Sequence, residues 1–208
     1  MSLPKRALIV IDAQNDYFGG ELPIEFPDVQ VSLNNIIVLM DAARAAMIPV
    51  VVVQNISPKN SPLMAEGSLG GALHKMVATR PYDYFVAKKL PSAFAGTNLE
   101  DWLRQHNIDT ITVIGYMTHN CNLSTMLQAF HNGFSVEFIS DASGSVPYEN
   151  RAGHASAEEI HRVISVVLQS RFAAVMSAFE WIAMLEAGEK PKRDSIYFSN
   201  RRARGLGV

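Results

Sequence analysis

Three polar residues each follow a short apolar run, and together they could carry covalent acyl chemistry. Asp12 comes directly after Ala7-Leu-Ile-Val-Ile11, and Lys88 after Tyr84-Phe-Val-Ala87. Cys121 follows Thr110–Ile114 and the turn Gly115-Tyr-Met-Thr-His-Asn120. A carboxylate at the rim of a buried strand is desolvated, which lifts its pKa toward values useful for proton transfer. The ordinary alternative is a turn aspartate, since Gln14, Asn15 and Asp16 come next. Lysine is rarely buried without an anion, so Lys88 at such a rim requires Asp12 or a thiolate. Lys89 is expected to point the other way, into solvent. Cys121 is expected to open the next helix, where free N–H groups and the helix dipole lower a thiol pKa. The same N–H groups can hold an oxyanion. Against this stands the common fate of a lone cysteine, which is simple burial.

The elements that position these residues are legible as alternating strands and helices. Ala7–Ile11, Val50–Val53, Tyr84–Ala87, Thr110–Ile114, Ser135–Ile139 and Phe172–Met176 are six apolar runs of strand length. Runs that do not alternate polar and apolar residues are expected of strands buried on both faces. Between them lie amphipathic stretches. One begins after a candidate cap at Ser32, with Leu33, Ile36, Ile37, Met40 and Met47 at helical spacing. Another holds Leu123, Met126, Leu127 and Phe130, and Gly133 ends it. Ser156-Ala-Glu-Glu159 and Ser177-Ala-Phe-Glu180 are capping boxes. The first precedes Ile160, Val163, Ile164, Val167 and Leu168, which are read as core-facing; the second precedes Trp181, Ile182 and Leu185, with Gly188 as C-cap. The pattern predicts an α/β fold, a three-layer α/β/α sandwich around a six-stranded, mostly parallel, Rossmann-like sheet. Chemistry in such folds gathers at the carboxyl ends of the strands. The long aperiodic stretch from Gln54 to about Arg80 is expected to be a lid or an interface segment.

Bulk properties exclude several classes. Of the 208 residues, 48% are hydrophobic and 18% charged, which suits one globular domain rather than a disordered chain. A net charge of -2 gives no basic face for nucleic acid, and no apolar run approaches a membrane span. The expected organisation is one folded domain over 1–188 and a basic C-terminal tail over 189–208. That tail carries Lys190, Lys192, Arg193, Arg201, Arg202 and Arg204 and reads as a solvated segment or an oligomer arm. A single cysteine allows no internal disulfide and fits a reducing, cytoplasmic setting.

Read together, four segments resemble the isochorismatase-like cysteine hydrolase superfamily. They are Ala7-Leu-Ile-Val-Ile-Asp-Ala-Gln-Asn-Asp16, Val86-Ala-Lys88 with Ser92-Ala-Phe-Ala-Gly-Thr97 and Leu99, Ile111 to Cys121, and Gly133 to Ala142. The resemblance covers about residues 5–185. It implies Cys121 as nucleophile, Asp12 as acid and base, Lys88 as the catalytic lysine, and backbone N–H groups of Met117 and Cys121 as the oxyanion hole. It also implies a non-proline cis peptide, expected at Met117–Thr118, and a dimer or larger homo-oligomer. Asn122 and His119 depart from the family's usual Val and acidic residue. Gln54-Asn-Ile-Ser57 replaces the Asp-x-His metal pair of the nicotinamidase branch, so no metal and no cofactor is expected. Phe18, His119 and Tyr148, each just beyond a strand end, are candidates for lining the substrate pocket; Phe94 is read as a wall of the site or the core beneath it.

The expected activity is hydrolysis of a C–N, amide-type bond in a small molecule through a thioester. Members that cleave a vinyl ether can lack the cysteine, so its presence favours covalent amide chemistry. Two alternatives stay open: a vinyl-ether hydrolase with Cys121 as a bystander, and an inactive oligomeric scaffold.

Overall fold

The computed structural model describes residues 3–207; Met1, Ser2 and Val208, the outermost residues of the expected domain and tail, lie outside it. Strands β1 (Arg6–Ile11), β2 (Val50–Asn55), β3 (Tyr84–Lys88), β4 (Thr110–Tyr116) and β5 (Ser135–Gly144) belong to one sheet. A short hairpin, β6 (Tyr148–Asn150) and β7 (Gly153–Ala155), stands apart, and β8 (Ala174–Met176) closes the sheet. The order is β3-β2-β1-β4-β5-β8, and every neighbour pair is parallel.

The two faces of the sheet are covered by different helices. Leu8, Val10, Val50, Val52, Ile114 and Tyr116 pack with α2 (Val29–Ala45) and with Trp181 of α7 (Ala178–Glu186). Ile9, Ile11, Val51, Val53 and Val113 face α4 (Leu99–Gln105), α5 (Leu123–His131) and α6 (Ala157–Arg171). Because side chains alternate across a strand, a run buried on both faces must be apolar at every position. In β1 it holds from Ala7 to Ile11; Arg6 of β1 and Thr112 of β4 are buried polar exceptions, each bonded to Glu137. Edge strand β3 is not buried on both faces: Val86 and Lys88 are buried, while Phe85 and Ala87 are exposed. Phe94 is buried in the second layer, tilted against Phe134.

Local caps refine the helix boundaries. Helix α2 starts earlier than Ser32, because Asp28 accepts hydrogen bonds from the N–H groups of Gln30 and Val31 at 2.9 and 3.1 Å. Ser32 sits one turn inside, its hydroxyl 2.7 Å from Tyr116 Oη. Met47 lies beyond the helix and is 91% exposed. Both capping boxes form, at Ser156 and Ser177. The stripe on α6 is only partly core-facing: Leu168 and His161 are buried, but Val163, Val166 and Val167 are exposed. The residues after Gly188 run back along α6, where Gln169 donates to Lys192 O, and end in the helix α8 (Ile196–Ala203). No helix among the described residues is long and apolar enough to cross a membrane.

Candidate active site

The sheet order brings the three polar residues to one edge. Asp12 leaves the end of β1, and Lys88 ends β3, with β2 between them. Two strand spacings are about 10 Å, and the long lysine side chain spans the gap. Lys88 shares the face of Val86 and reaches Asp12 with Nζ 2.7 Å from Oδ2. Cys121 arrives from the opposite side, because β4 is the other neighbour of β1. Its Sγ lies 3.3 Å from Lys88 Nζ. A π turn over Thr118–Asn122 carries the thiol toward the carboxylate before α5 begins.

Close approach of the strands is built in at Gly115, which adopts φ +97° beside Ile11. A Cβ there would stand 2.0 Å from Ile11 O, so any other residue would push β4 away from β1. Asp12 itself has φ 49°, a left-handed conformation that aspartate tolerates better than most residues. The non-proline cis peptide is Tyr116–Met117, one bond earlier than the expected Met117–Thr118.

Burial dominates the electrostatics. Asp12 is fully buried, and desolvation holds its carboxyl above the usual carboxylate range, with Lys88 only partly offsetting it. Burial opposes the Lys88 ammonium, yet the charges of Asp12 and Cys121 outweigh it and raise its pKa. Burial and then Asp12 push the Cys121 thiol up to about 12, against the pull of Lys88. This corrects the expectation that helix-start N–H groups would yield a ready thiolate. Cys121 is the fourth residue of a turn beside a buried carboxylate, an environment that favours the protonated thiol.

A hollow of about 470 Å³ opens over this cluster, with Asp12, Met117 and Cys121 in its wall. Tyr148, at the start of the β6–β7 hairpin, also lines it. His119 is not among the lining residues; its ring meets Tyr148 edge-on at 5.0 Å, and Nδ1 is 3.1 Å from Ser145 Oγ. Phe18 faces a separate hollow, packed on His74 and Tyr116. Lys89 is exposed, as expected, and also lines the hollow.

Tyr17, Asn55 and Asn120 line the hollow and were not singled out by the sequence. Asn55 is the most informative of them, because its Oδ1 is 3.4 Å from Lys88 Nζ. Its signal was present in Gln54-Asn-Ile-Ser57, a stretch noticed only for lacking a metal pair. The segment from Gln54 to Arg80 is laced down rather than loose. Gly71 O accepts from Gln14 Nε2 and Gln54 Nε2 at 2.6 and 2.7 Å, and Asp16 Oδ2 accepts from Met64 N–H at 2.7 Å. His74 caps the short helix α3 (Lys75–Ala78), accepting from Met76 N–H.

A parallel sheet flanked by helices, with a carboxylate, an ammonium and a thiol gathered at its carboxyl edge, defines an α/β protein of the cysteine-hydrolase type. Residues 6–178 match the isochorismatase domain, and the chain belongs to the isochorismatase family of hydrolases. A crystal structure of a Burkholderia xenovorans LB400 protein, provisionally described as an isochorismatase, is similar at 62% identity and TM-score 0.97, with 98% of each chain covered. The secreted isochorismatase effector Isc1 of Verticillium dahliae is 33% identical over 137 residues, 66% of this chain and 71% of that one. Nicotinamidase 3 of Arabidopsis thaliana is 31% identical over 153 residues, covering 67% of this chain and 73% of its own.

Proposed function

We propose that the protein is a cysteine hydrolase that cleaves an amide-type C–N bond of a small molecule. The observation that carries this reading is the placement of the buried Lys88 Nζ, 2.7 Å from Asp12 Oδ2 and 3.3 Å from Cys121 Sγ, with both of those partners lining an open hollow. Similarity to a nicotinamidase supports the choice of bond.

In this scheme Asp12 takes the thiol proton as Sγ attacks the carbonyl carbon, so no free thiolate accumulates in a site that raises its pKa. Lys88 holds the negative charge that moves between carboxylate and sulfur. The N–H groups of Met117 and Cys121 receive the tetrahedral oxyanion. Asp12 returns the proton to nitrogen as the C–N bond breaks, leaving a thioester on Cys121 and releasing ammonia or an amine. Asp12 then deprotonates a water molecule that attacks the thioester. The acid departs, and the proton returns to sulfur. The raised pKa of Asp12 suits both halves of the cycle, since it makes the carboxylate a better base than an ordinary one.

Similarity to Isc1 favours a second reading, in which a vinyl ether is cleaved by Asp12 and Lys88 while Cys121 stands by. Cys121→Ala separates the two. Ammonia release from small amides should fall hundreds-fold or more in the variant. Turnover of isochorismate that survives the substitution would instead support the vinyl-ether reading.

A further inference from the structure

The register of the sheet sets Asn55 directly beside Lys88. Strands β2 and β3 pair with Val53 opposite Val86 and Asn55 opposite Lys88, and Ile56 N–H continues the ladder onto Lys88 O at 2.8 Å. Side chains two apart on a strand share a face, so Asn55 and Lys88 stand on the side where Val53 and Val86 pack. The carboxamide of Asn55 is then held in one orientation. Its main chain is tied at both polar groups by the Gln14 amide, and its Nδ2 donates to Ser57 Oγ at 3.3 Å. That leaves Oδ1 toward the lysine, 3.4 Å from Nζ.

A lysine ammonium carries three N–H donors and no acceptor. Around Lys88 Nζ stand three acceptors: Asp12 Oδ2 at 2.7 Å, Cys121 Sγ at 3.3 Å and Asn55 Oδ1 at 3.4 Å. They are unequal, since a carboxylate holds an ammonium more strongly than a neutral thiol does. Asp12 Oδ1 has no hydrogen bond among the described residues. An ammonium held by Asp12 and Cys121 alone would therefore turn onto both carboxylate oxygens and away from sulfur. We propose that Asn55 is a positioning residue: its carboxamide oxygen takes the third N–H of Lys88 and keeps the ammonium bridging Asp12 and Cys121. It acts through the lysine and not on the reacting atoms. A neutral amide suits the task, because a carboxylate at position 55 would compete with Asp12 for the one cation. The inference rests on the cysteine-hydrolase reading and deepens it.

The single thiol reports where the ammonium is, because the Lys88 charge favours thiolate while burial and Asp12 oppose it. Wild type, Asn55→Leu and Asn55→Asp are alkylated with iodoacetamide at one mildly alkaline pH, and intact mass is followed. Asn55→Leu should slow labelling of Cys121 roughly tenfold as the ammonium leaves the sulfur, and Asn55→Asp should slow it at least as much. A merely structural role has the opposite sign: Cys121 is 6% exposed, and a loosened site would be labelled faster. The double variant Lys88→Met with Asn55→Leu completes a cycle. With no ammonium to hold, Asn55→Leu should leave the labelling rate of Lys88→Met unchanged. Asn55→Ala replaces the leucine, and Lys88→Gln the methionine, wherever thermal melting shows a variant unfolded. Unchanged or faster labelling in the Asn55 variants, or equal slowing with and without the ammonium, would overturn the inference. Ammonia release from simple amides is followed separately. Its absence would count against the amide-hydrolase reading alone, because the labelling cycle needs no substrate.

Discussion

Gln14 grips the main chain of Asn55 at both of its polar groups: Nε2 donates to Asn55 O at 2.9 Å, and Oε1 accepts from Asn55 N–H at 3.0 Å. A side-chain amide thus substitutes for a strand partner where β1 has already ended. The clamp fixes the residue whose Oδ1 faces Lys88 Nζ. Gln14→Leu would remove both partners from the half-buried main chain of Asn55, at about 1 kcal/mol for each lost bond. Urea denaturation should therefore show a lower midpoint. Turnover should fall as well, because the lysine loses one of its fixed neighbours.

Lys88→Met should be more damaging to folding than Cys121→Ala. Removing the ammonium leaves the Asp12 carboxylate buried and unpaired, a loss on the order of 3–5 kcal/mol. Cys121→Ala removes a small apolar group and keeps the ion pair. Paired denaturation curves measure the difference, and equal midpoints would contradict the buried pairing.

Alkylation and hydrolysis should part company in Asp12→Asn. The Asp12 charge helps raise the thiol pKa, so its loss increases the thiolate fraction and speeds iodoacetamide labelling. Hydrolysis should nevertheless collapse, because the base is gone. Lys88→Met removes the charge that lowers the thiol pKa and should slow labelling. A slower reaction in Asp12→Asn would show that the carboxylate activates the thiol at rest.

Acid should weaken the fold through the buried His161 and the half-buried His119. Burial lowers His119 to about 4, and burial followed by the His119 charge lowers His161 to about 4. Above pH 6.5 both folded and unfolded chains carry neutral imidazoles, and the full stability is present. Below it the unfolded chain gains protons that the folded chain refuses, so stability falls toward pH 4. Each unit over which one histidine is mismatched removes about 1.4 kcal/mol. Denaturation at pH 7 and pH 5 should show a smaller decline for His161→Gln, which can still bond Thr118 Oγ1, now 2.9 Å from the imidazole.

The alkaline limb has the opposite sign. The folded thiol at about 12 holds its proton past the point where an unfolded cysteine releases it, near 9. That contribution is complete below pH 9 and declines as pH rises toward 12. Cys121→Ser should therefore lose less stability than wild type between pH 9 and pH 11, and parallel curves would argue against a strongly raised thiol.

The strands were legible because a run such as Ala7–Ile11 admits few other readings: it is too short for a helix and apolar throughout. The meeting of Asp12, Lys88 and Cys121 was accessible because each ends such a run. Other features depended on contacts that no local pattern encodes. Phe18 and Tyr17 are adjacent aromatics that both pack on Tyr116, and only the turn after β1 decides that Tyr17 faces this hollow while Phe18 faces a separate one. Asn55 was hidden because its role is set by Gln14, distant in sequence. The thiol was misjudged since helix-start chemistry is local, whereas its desolvation comes from the whole layer over β1 and β4. Val163 and Val167 keep helical spacing with Leu168, but α6 turns them outward.

The strand order has a consequence for how the molecule is made. Strand β1 lies inside the sheet, and later strands add to both of its flanks, β2 and β3 on one side, β4 and β5 on the other. A nascent chain that has completed β3 already holds the Asp12 and Lys88 charges but has no sulfur. The sulfur enters only with the turn after β4, on the opposite flank. The three side chains can meet only once both flanks of β1 are filled, while β5 and β8 follow Cys121 in the chain. The meeting of the three residues therefore reports pairing on both sides of β1 rather than the presence of any one segment.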